Sequence, residues 1–268
     1  MSSQIALVAL FTFVVHLVAT LSLSVRVVGL QTLRWAVSFS LFNIMALFSR
    51  LSNTLQAPLL AKTVELNIQA GRFDQVADFR WVLAFSTLAT VAGILVFPSF
   101  QRLMTRLVET YYHHRSFSKL LVRSLSLSTV RTLPQHLKWP DSANWQAIRQ
   151  KPNVPIRILV LNALSNAIIT VGVLSTLYAG YINPDLRATA ASMSGLINGL
   201  ATIIMVLFVD PDIALLADEV TAGQYSTGYF RRYIIQVLLA RLAGTILAQF
   251  LLIPFAHLVI WLAQHLYA

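Results

Sequence analysis

The sequence has no cysteine and few acidic residues. Among its 268 residues are only 10 Asp and Glu, against 20 Lys and Arg. The absence of cysteine excludes a disulfide framework and any metal site built on thiolates. Charged residues make up 11% of the chain and hydrophobic residues 57%, whereas an ordinary soluble domain carries roughly 25% charged residues. Because a water-soluble core cannot accommodate so much apolar sequence, the composition indicates an integral membrane protein.

Signature motifs of ATP hydrolysis and of hydrolases are missing as well. The chain has no G-x-x-x-x-G-K-S/T loop, which excludes direct ATP hydrolysis. It has neither a G-x-S-x-G elbow nor an H-E-x-x-H metal motif. We therefore expect no catalytic residue, no metal and no cofactor. The net charge of +10 does not indicate nucleic-acid binding, because the basic residues concentrate in loops between long apolar runs.

Six apolar runs predict an all-α, polytopic membrane protein with six transmembrane helices. The runs are 5–25, 35–60, 82–97 (continuing past Pro98), 158–181, 188–209 and 233–266. Pro254 predicts a kink or break in the last helix, and Pro184 and Pro211 predict helix stops. The single membrane domain divides into a first half, 1–101, a basic connection, 102–156, and a second half, 157–268.

The connection between the third and fourth runs is strongly basic and is predicted to be cytoplasmic by the positive-inside rule. This orientation places fourteen basic residues inside, among them Arg26 and Arg34, and leaves four outside: Lys62, Arg72, Arg80 and Arg187. Both termini are therefore predicted to be extracytoplasmic. The pattern of residues 100–127 predicts an extension of the third helix, followed by an interfacial helix on anionic lipid headgroups. Capture of substrate headgroups by this segment is the alternative.

Sliding the chain along itself indicates an internal repeat. The matches are Arg34 with Arg187, Pro58 with Pro211 and Glu65 with Asp218 at a spacing of 153, then Gly71 with Gly223 and Arg80 with Arg232 at 152. Each half holds three spans, an odd number, so the two halves would have opposite orientations in the membrane. This is the inverted-repeat architecture of many secondary transporters. Chance similarity between apolar sequences is the alternative.

Helix two carries polar side chains where a lipid-facing helix would not. Arg50, Asn53 and Gln56 are spaced to trace one side of the helix, and Asn43 lies seven residues before Arg50. A charged residue in the bilayer costs about 3 kcal/mol or more, so such residues normally face a cavity or the bundle interior. A guanidinium binds phosphate oxygens bidentately. This stripe is our best candidate for substrate contact; an Arg that only pairs with a carboxylate is the alternative.

Further candidates lie elsewhere in the chain. Arg241 is a second cation within an apolar run. It is predicted to contact substrate, as are the cytoplasmic Arg26 and Arg34. The alternative for Arg241 is that it only neutralises an acid in the same cavity. His16 and His257 are isolated in apolar runs and are assigned to packing or hydration.

Two groups of charged residues near opposite membrane faces are predicted to gate the cavity or to carry protons during transport. The outer group is Lys62 and Glu65, and the cytoplasmic group is Asp210, Asp212, Asp218 and Glu219. Solvated loop charges without a function are the alternative.

Three segments carry a resemblance to a known family. They are the S-L-F-N segment at 40–43, the S-R-x-S-N-x-x-Q-A-P-L run at 49–59 and the V-D-P element at 209–211. With them, the stretch 34–65 resembles the Amj family of lipid II flippases, which are alternates to the larger flippase of peptidoglycan synthesis. Length and number of spans agree along the whole chain.

The resemblance implies transport of lipid II, an undecaprenyl diphosphate carrying a disaccharide-pentapeptide, from the cytoplasmic to the outer leaflet of a bacterial plasma membrane. It implies a role in cell-wall biogenesis and cell shape, by alternating access without ATP, with lipid II and membrane lipids as partners. Within the matching run it implies function for Arg50, Asn53, Gln56 and Glu65, with Arg50 binding the diphosphate. Alternatives are a flippase for another polyprenyl-linked sugar, a membrane enzyme acting on polyprenyl phosphates, and a scaffold subunit.

Overall fold

The computed structural model describes residues 3–72, 75–114 and 154–265. In these ranges the protein is helical and contains no strand, which confirms the all-α class. The predicted interfacial helix falls mostly on residues outside the described ranges. The side chains of Arg50 and Asn53 also lie outside what is described, although their backbone belongs to a helix.

The first half contains three long helices: α1 (Ser3–Thr32), α2 (Trp35–Gln69) and α3 (Val76–His114). Helix α1 lies between the other two and packs against both. A short link joins α1 to α2 and turns at Leu33, whose φ of 55° is in the left-handed region. As predicted, α3 continues past Pro98, and it extends into the basic connection as far as His114.

The second half begins with α4 (Ile156–Ile182) and ends with α8 (Thr227–His265). Helix α4 packs along α8 on one side and against the intervening segment on the other. The sequence predicted a kink or a break at Pro254. Helix α8 is continuous through Pro254, so a break does not occur there. Proline is tolerated inside membrane helices because neighbouring groups satisfy the carbonyl it leaves free.

The segment between α4 and α8 is broken rather than a single uniform helix. A 3₁₀ turn (Pro184–Leu186) precedes α5 (Arg187–Ser192) and α6 (Ser194–Ile204); a π turn (Met205–Val209) then leads into α7 (Asp210–Thr221). The prediction of a stop at Pro211 was wrong, because Pro211 lies in the first turn of α7. Proline has no N–H to donate to the carbonyl four residues earlier, Leu207, and the helix widens into a π turn there.

Five stretches of these helices are long and apolar enough to cross a membrane: Gln4–Thr32, Val76–Thr110, Ile156–Ile182, Pro184–Thr221 and Thr227–His265. They correspond to five of the six predicted spans. The remaining one corresponds to α2, whose apolar segment is the shorter Trp35–Leu47. The protein is therefore a multi-pass helical membrane protein, and the sixth span stays a prediction.

Two buried apolar clusters at opposite ends of the bundle show the helix directions. Cluster I joins the beginnings of α1 and α3, the second half of α2, the end of α4 and the middle of α8, with Val8, Leu60, Phe79, Leu177 and Leu252 as members. Cluster II joins the end of α1 and the middle of α3 to α7 and the beginnings of α4 and α8, with Val27, Phe97, Ile158, Ile213 and Ile234 as members. Thus α1 runs parallel to α3, α4 runs parallel to α8, and the two pairs are antiparallel.

Close helix contacts at glycine occur in both halves. A Cβ on Gly93 of α3 would lie 2.8 Å from the Thr20 side chain of α1, and a Cβ on Gly244 of α8 would lie 2.4 Å from the carbonyl oxygen of Ala163 of α4. Small residues let membrane helices approach closely, where dispersion and packing replace the hydrophobic effect as the attraction between them. The third helix of each half thus meets the first helix of the same half at a glycine.

The second helical element of each half ends in the same cap. Gly71 (φ 71°) follows α2, and Gly223 (φ 79°) follows α7. At both caps the glycine N–H and the N–H of the next residue turn back onto carbonyls of the last helical turn, with distances of 3.0 and 2.8 Å after α2 and 3.0 and 2.9 Å after α7. Glycine reaches the left-handed region without the steric cost of a Cβ.

Candidate functional site

The predicted stripe on α2 is described only in part. Gln56 is buried and Asn43 is exposed, so the two ends of the stripe have different surroundings. Arg50 and Asn53, between them, have side chains outside the described set. The structure therefore places the backbone of the stripe on α2, and the role of its side chains stays a prediction.

Arg26 and Asp210 form an ion pair between the two halves. The Arg26 guanidinium donates to an Asp210 carboxylate oxygen over 2.6 Å, joining the end of α1 to the beginning of α7. The Arg26 side chain is 16% exposed and lies 4.7 Å from the centroid of the Phe42 ring of α2. Partial burial and the aromatic face strengthen the interaction beyond that of a surface pair. A residue predicted to bind substrate is thus bonded to one predicted to gate the cavity.

The other acids of α7 have separate surroundings. Asp212 accepts a hydrogen bond from the Tyr233 hydroxyl of α8, which holds α7 against α8 within the second half. Asp218 is exposed and Glu219 is half-buried near the end of α7. These acids do not converge on one point, and only Asp210 reaches the first half through an ion pair in the described part of the chain.

The predicted outer gate pair lies on one helix. Lys62 and Glu65 are 3.8 Å apart on α2, with side chains 61% and 43% exposed. Such exposed ion pairs contribute about 0–1 kcal/mol to the free energy of unfolding. A contact between the halves at this end is instead supplied by Asn67 of α2, whose amide donates to the Tyr181 hydroxyl of α4 over 2.8 Å.

Cations collect at the end of the bundle that contains cluster II. Arg102 of α3 and Arg231 of α8 are close enough for their charges to interact. Arg232, next in the chain, is half-buried and has a buried Nε that makes no hydrogen bond among the described residues. Arg34, at the start of α2, belongs to the same end. Like charges held together in this way create a positive potential that attracts anions.

Arg241 lies in the middle of α8. The part of α8 before it belongs to cluster II, and the part after it belongs to cluster I. Its Nε is buried without a hydrogen-bond partner, and it pairs with no acid that the structure describes. The predicted alternative, that Arg241 neutralises an acid in the same cavity, therefore has no support in the described residues. Removing an unpaired cation from water is strongly unfavourable unless an anion or water compensates it.

Sequence reasoning assigned His16 to packing or hydration, and the structure places it at the depth of Arg241 in the bundle. His16 lies mid-way along α1, is 7% exposed, and has a buried Nδ1 without a hydrogen-bond partner in the described ranges. His16 lies between the parts of α1 that pack against α8 in clusters I and II, and Arg241 lies between the corresponding parts of α8, so the two residues are at a similar depth in the bundle. The signal in the sequence was a histidine inside an apolar run, which alone does not identify its neighbour.

Buried asparagines on α4 were also missed. Asn162 donates to the carbonyl oxygen of Val237 on α8 over 2.8 Å, and Asn166 donates to Asn162. This network fixes α4 against α8 and uses the amide hydrogens within the protein. Among the described residues no group of three or more His, Asp and Glu is arranged to hold a metal ion.

Comparison with known proteins decides the family. The family model Amj, described as "Alternate to MurJ", matches residues 11–263. The chain belongs to the Amj family. It is 32% identical over 267 residues to a protein of Bacillus subtilis (strain 168) named Lipid II flippase Amj, with 98% of each chain covered. No solved structure matches the chain.

The Amj match extends over both halves of the helical bundle, well beyond the segments that carried the resemblance in the sequence. It includes α1 with Arg26 and α8 with Arg241. The predicted membership of the Amj family is thus confirmed.

Proposed function

We propose that this chain is a lipid II flippase, which transfers undecaprenyl-diphosphate-linked peptidoglycan precursor from the cytoplasmic to the outer leaflet without hydrolysing ATP. The relationship over almost the whole of both chains with a protein named Lipid II flippase Amj carries the proposal. The Arg241 side chain supports it, because it is partly buried in the middle of α8 and its buried Nε has no hydrogen-bond partner among the described residues, whereas a translocated diphosphate must pass the bilayer centre with its charge neutralised. The role is that of a transporter rather than an enzyme, in cell-wall biogenesis at the bacterial plasma membrane.

The bundle supports an inverted repeat of three spans each. In each half the first long helix packs between the other two elements, and the two halves contribute antiparallel helix pairs. The cap glycines Gly71 and Gly223 are 152 positions apart, and the contact glycines Gly93 and Gly244 are 151 apart. A third pair, Gly29 and Gly180, is also 151 apart, and at each a Cβ would lie 3.1 Å from the side chain of the residue that begins the next α-helix, Trp35 or Arg187. Agreement in structure at these spacings argues against chance similarity.

Within this architecture, α2 and the segment that runs from α5 to α7 would line the substrate path, together with the middle of α1 and α8, which are in contact with each other. Each half holds one member of each pair, and the two halves are tied by polar contacts near opposite ends of the bundle. Arg26–Asp210 joins them beside cluster II, and Asn67–Tyr181 joins them beside cluster I. Alternating access requires one end to open while the other is closed. Opening would break the tie at that end.

The orientation of the chain is part of the proposal. A reporter fused after Ala268 should be active when it requires the periplasmic or extracellular side, and a reporter active only in the cytoplasm should be silent there. The reason is the excess of basic residues at the other end of the spans. A reporter inserted after residue 130 is the control and should give the opposite result. Cytoplasmic activity after Ala268 would contradict the assigned orientation.

The function is tested by rescue. In a bacterium deprived of all its lipid II flippases, expression of this chain should restore growth and deliver lipid II to the outer leaflet, detected by an enzyme that modifies only exposed lipid II. Arg50→Ala should insert normally but fail to rescue, since it removes the proposed diphosphate ligand. Arg72→Ala, an exposed change just after α2, should rescue fully. A correctly inserted wild-type chain that does not rescue refutes the function, and full rescue by Arg50→Ala refutes that residue's role.

A further inference from the structure

Among the buried polar atoms that have no hydrogen-bond partner in the described protein, two are nitrogens of titratable side chains in the middle of the bundle. They are Nε of Arg241 on α8 and Nδ1 of His16 on α1, which belong to different halves. His16 is 93% buried, and both Nε of Arg241 and Nδ1 of His16 are shielded from solvent without a hydrogen bond. Native proteins satisfy nearly all their buried polar atoms, so two exceptions at a similar depth, on helices that are in contact with each other, point to a ligand.

The acids that the structure describes cannot supply that ligand. They lie near helix ends: Glu65, Asp78, Glu109 and Asp185, and the four acids of α7 beside cluster II. None forms an ion pair or hydrogen bond with Arg241 or His16. The polar residues that surround His16 on its own helix, Thr12 and Thr20, use their hydroxyls on backbone carbonyls of α1. An anion that compensates Arg241 and His16 must therefore come from outside the described part of the chain.

We propose that Arg241 and His16 together form a binding site for phosphate oxygens at the bilayer midplane, and that its occupant is the diphosphate of a polyprenyl-linked substrate in transit. The inference rests on the proposed function and adds His16 to it. Arg241 supplies the charge and a planar set of donors. His16, in the tautomer with a proton on Nδ1, supplies a second donor from the opposite half. A site shared by the halves can hold the substrate while they move relative to each other.

Direct binding tests this site. The wild-type protein in lipid nanodiscs is titrated with lipid II, with undecaprenyl diphosphate and with inorganic pyrophosphate. Arg241→Gln should weaken binding of both lipids at least tenfold, and His16→Leu about threefold to tenfold, since each loses one kind of donor. His16→Asn should retain most of the affinity, because its amide nitrogen replaces Nδ1 as donor. The matched controls His257→Asn and Arg72→Gln, at exposed positions, should bind like wild type.

Thermal unfolding separates a ligand site from a structural contact. In the absence of ligand, Arg241→Met should raise the Tm, because it removes a buried charge that has no partner. Added undecaprenyl diphosphate should raise the Tm of the wild type and leave that of Arg241→Met unchanged. A lower Tm for ligand-free Arg241→Met would show that Arg241 is structural and would overturn the proposal.

The remaining outcomes are distinct. Unchanged lipid affinity in Arg241→Gln or His16→Leu overturns the site, and so does binding of pyrophosphate without binding of the lipids, since the occupant is then a free anion. If wild type and both variants rescue flippase-deficient cells equally, the flippase function stands and the site fails. If the variants lose lipid binding but even wild type does not rescue those cells, the site stands and the proposed function fails.

Discussion

Replacing Gly244 by leucine should sharply lower the yield and the Tm of the folded protein, whereas the same replacement at Gly199 should leave both near wild type. Even the first side-chain atom at Gly244 would lie 2.4 Å from the backbone carbonyl of Ala163 and 3.0 Å from the Asn166 Cβ. Backbone cannot move aside as a flexible side chain can, so α8 and α4 must separate. Overpacking of this kind costs about 3 kcal/mol or more, a large part of a total stability of roughly 5–15 kcal/mol.

Gly199, on α6, is the matched control because a Cβ there meets no atom within 4 Å. The measurement is the yield of monodisperse protein after extraction into detergent, followed by its Tm. Gly93→Ala should be intermediate, since its obstacle is the Thr20 side chain rather than backbone. Wild-type yield and Tm in Gly244→Leu would show that α8 and α4 are not in contact at this point.

Breaking the Arg26–Asp210 pair should open the end of the bundle that contains cluster II. Asp210→Asn removes the partner of a guanidinium that is 16% exposed, so the attraction between α1 and α7 is lost. Reversing both charges, with Arg26→Asp and Asp210→Arg, should restore much of it. We expect a coupling free energy of roughly 1–2 kcal/mol from the corresponding double-mutant cycle.

The natural absence of cysteine provides the readout for opening. A cysteine introduced at Leu23, which lies three residues before Arg26 on the same side of α1 and is buried in cluster II with Val209 and Ile213, should react slowly with a water-soluble maleimide in the wild-type background. It should react several-fold faster with Asp210→Asn and slowly again with the double reversal. The control is reversal of Lys62 and Glu65, an exposed pair with a coupling of about 0.5 kcal/mol or less. Equal reaction rates in all backgrounds would argue against a gate at Arg26–Asp210.

The apolar runs predicted the helices well because length and hydropathy are local properties. Helix α3 passes through Pro98 as expected, and the cap glycines Gly71 and Gly223, matched in the sequence, share one conformation. The prediction failed at Pro211, where a stop was expected and a π turn followed by a further helix is observed. Whether a helix stops or adjusts at proline depends on which neighbours satisfy the carbonyl left free, and a single run of residues does not contain that information.

The candidate site was predicted less completely. The charges themselves were visible: Arg26, Arg241 and Asp210 interrupt or border apolar sequence, and such residues seldom lack a function in a membrane. Their partners were not visible, since Arg26 and Asp210 are 184 positions apart and an ion pair between them depends on how α1 meets α7. His16 was assigned to packing or hydration for the same reason.

The sequence by itself determined that this protein is a bundle of membrane-spanning helices, that it belongs to the Amj family, and that cations would have to be accommodated within the bilayer. These properties follow from composition, from the length of apolar runs and from short motifs, each of which is readable without neighbours. Only the tertiary structure decided which charge is paired and which is not. Arg26 pairs with Asp210, whereas Arg241 pairs with no acid among the described residues. The reason is physical: the free energy of a buried charge depends on the atoms within a few ångströms of it, and helix packing alone determines those atoms.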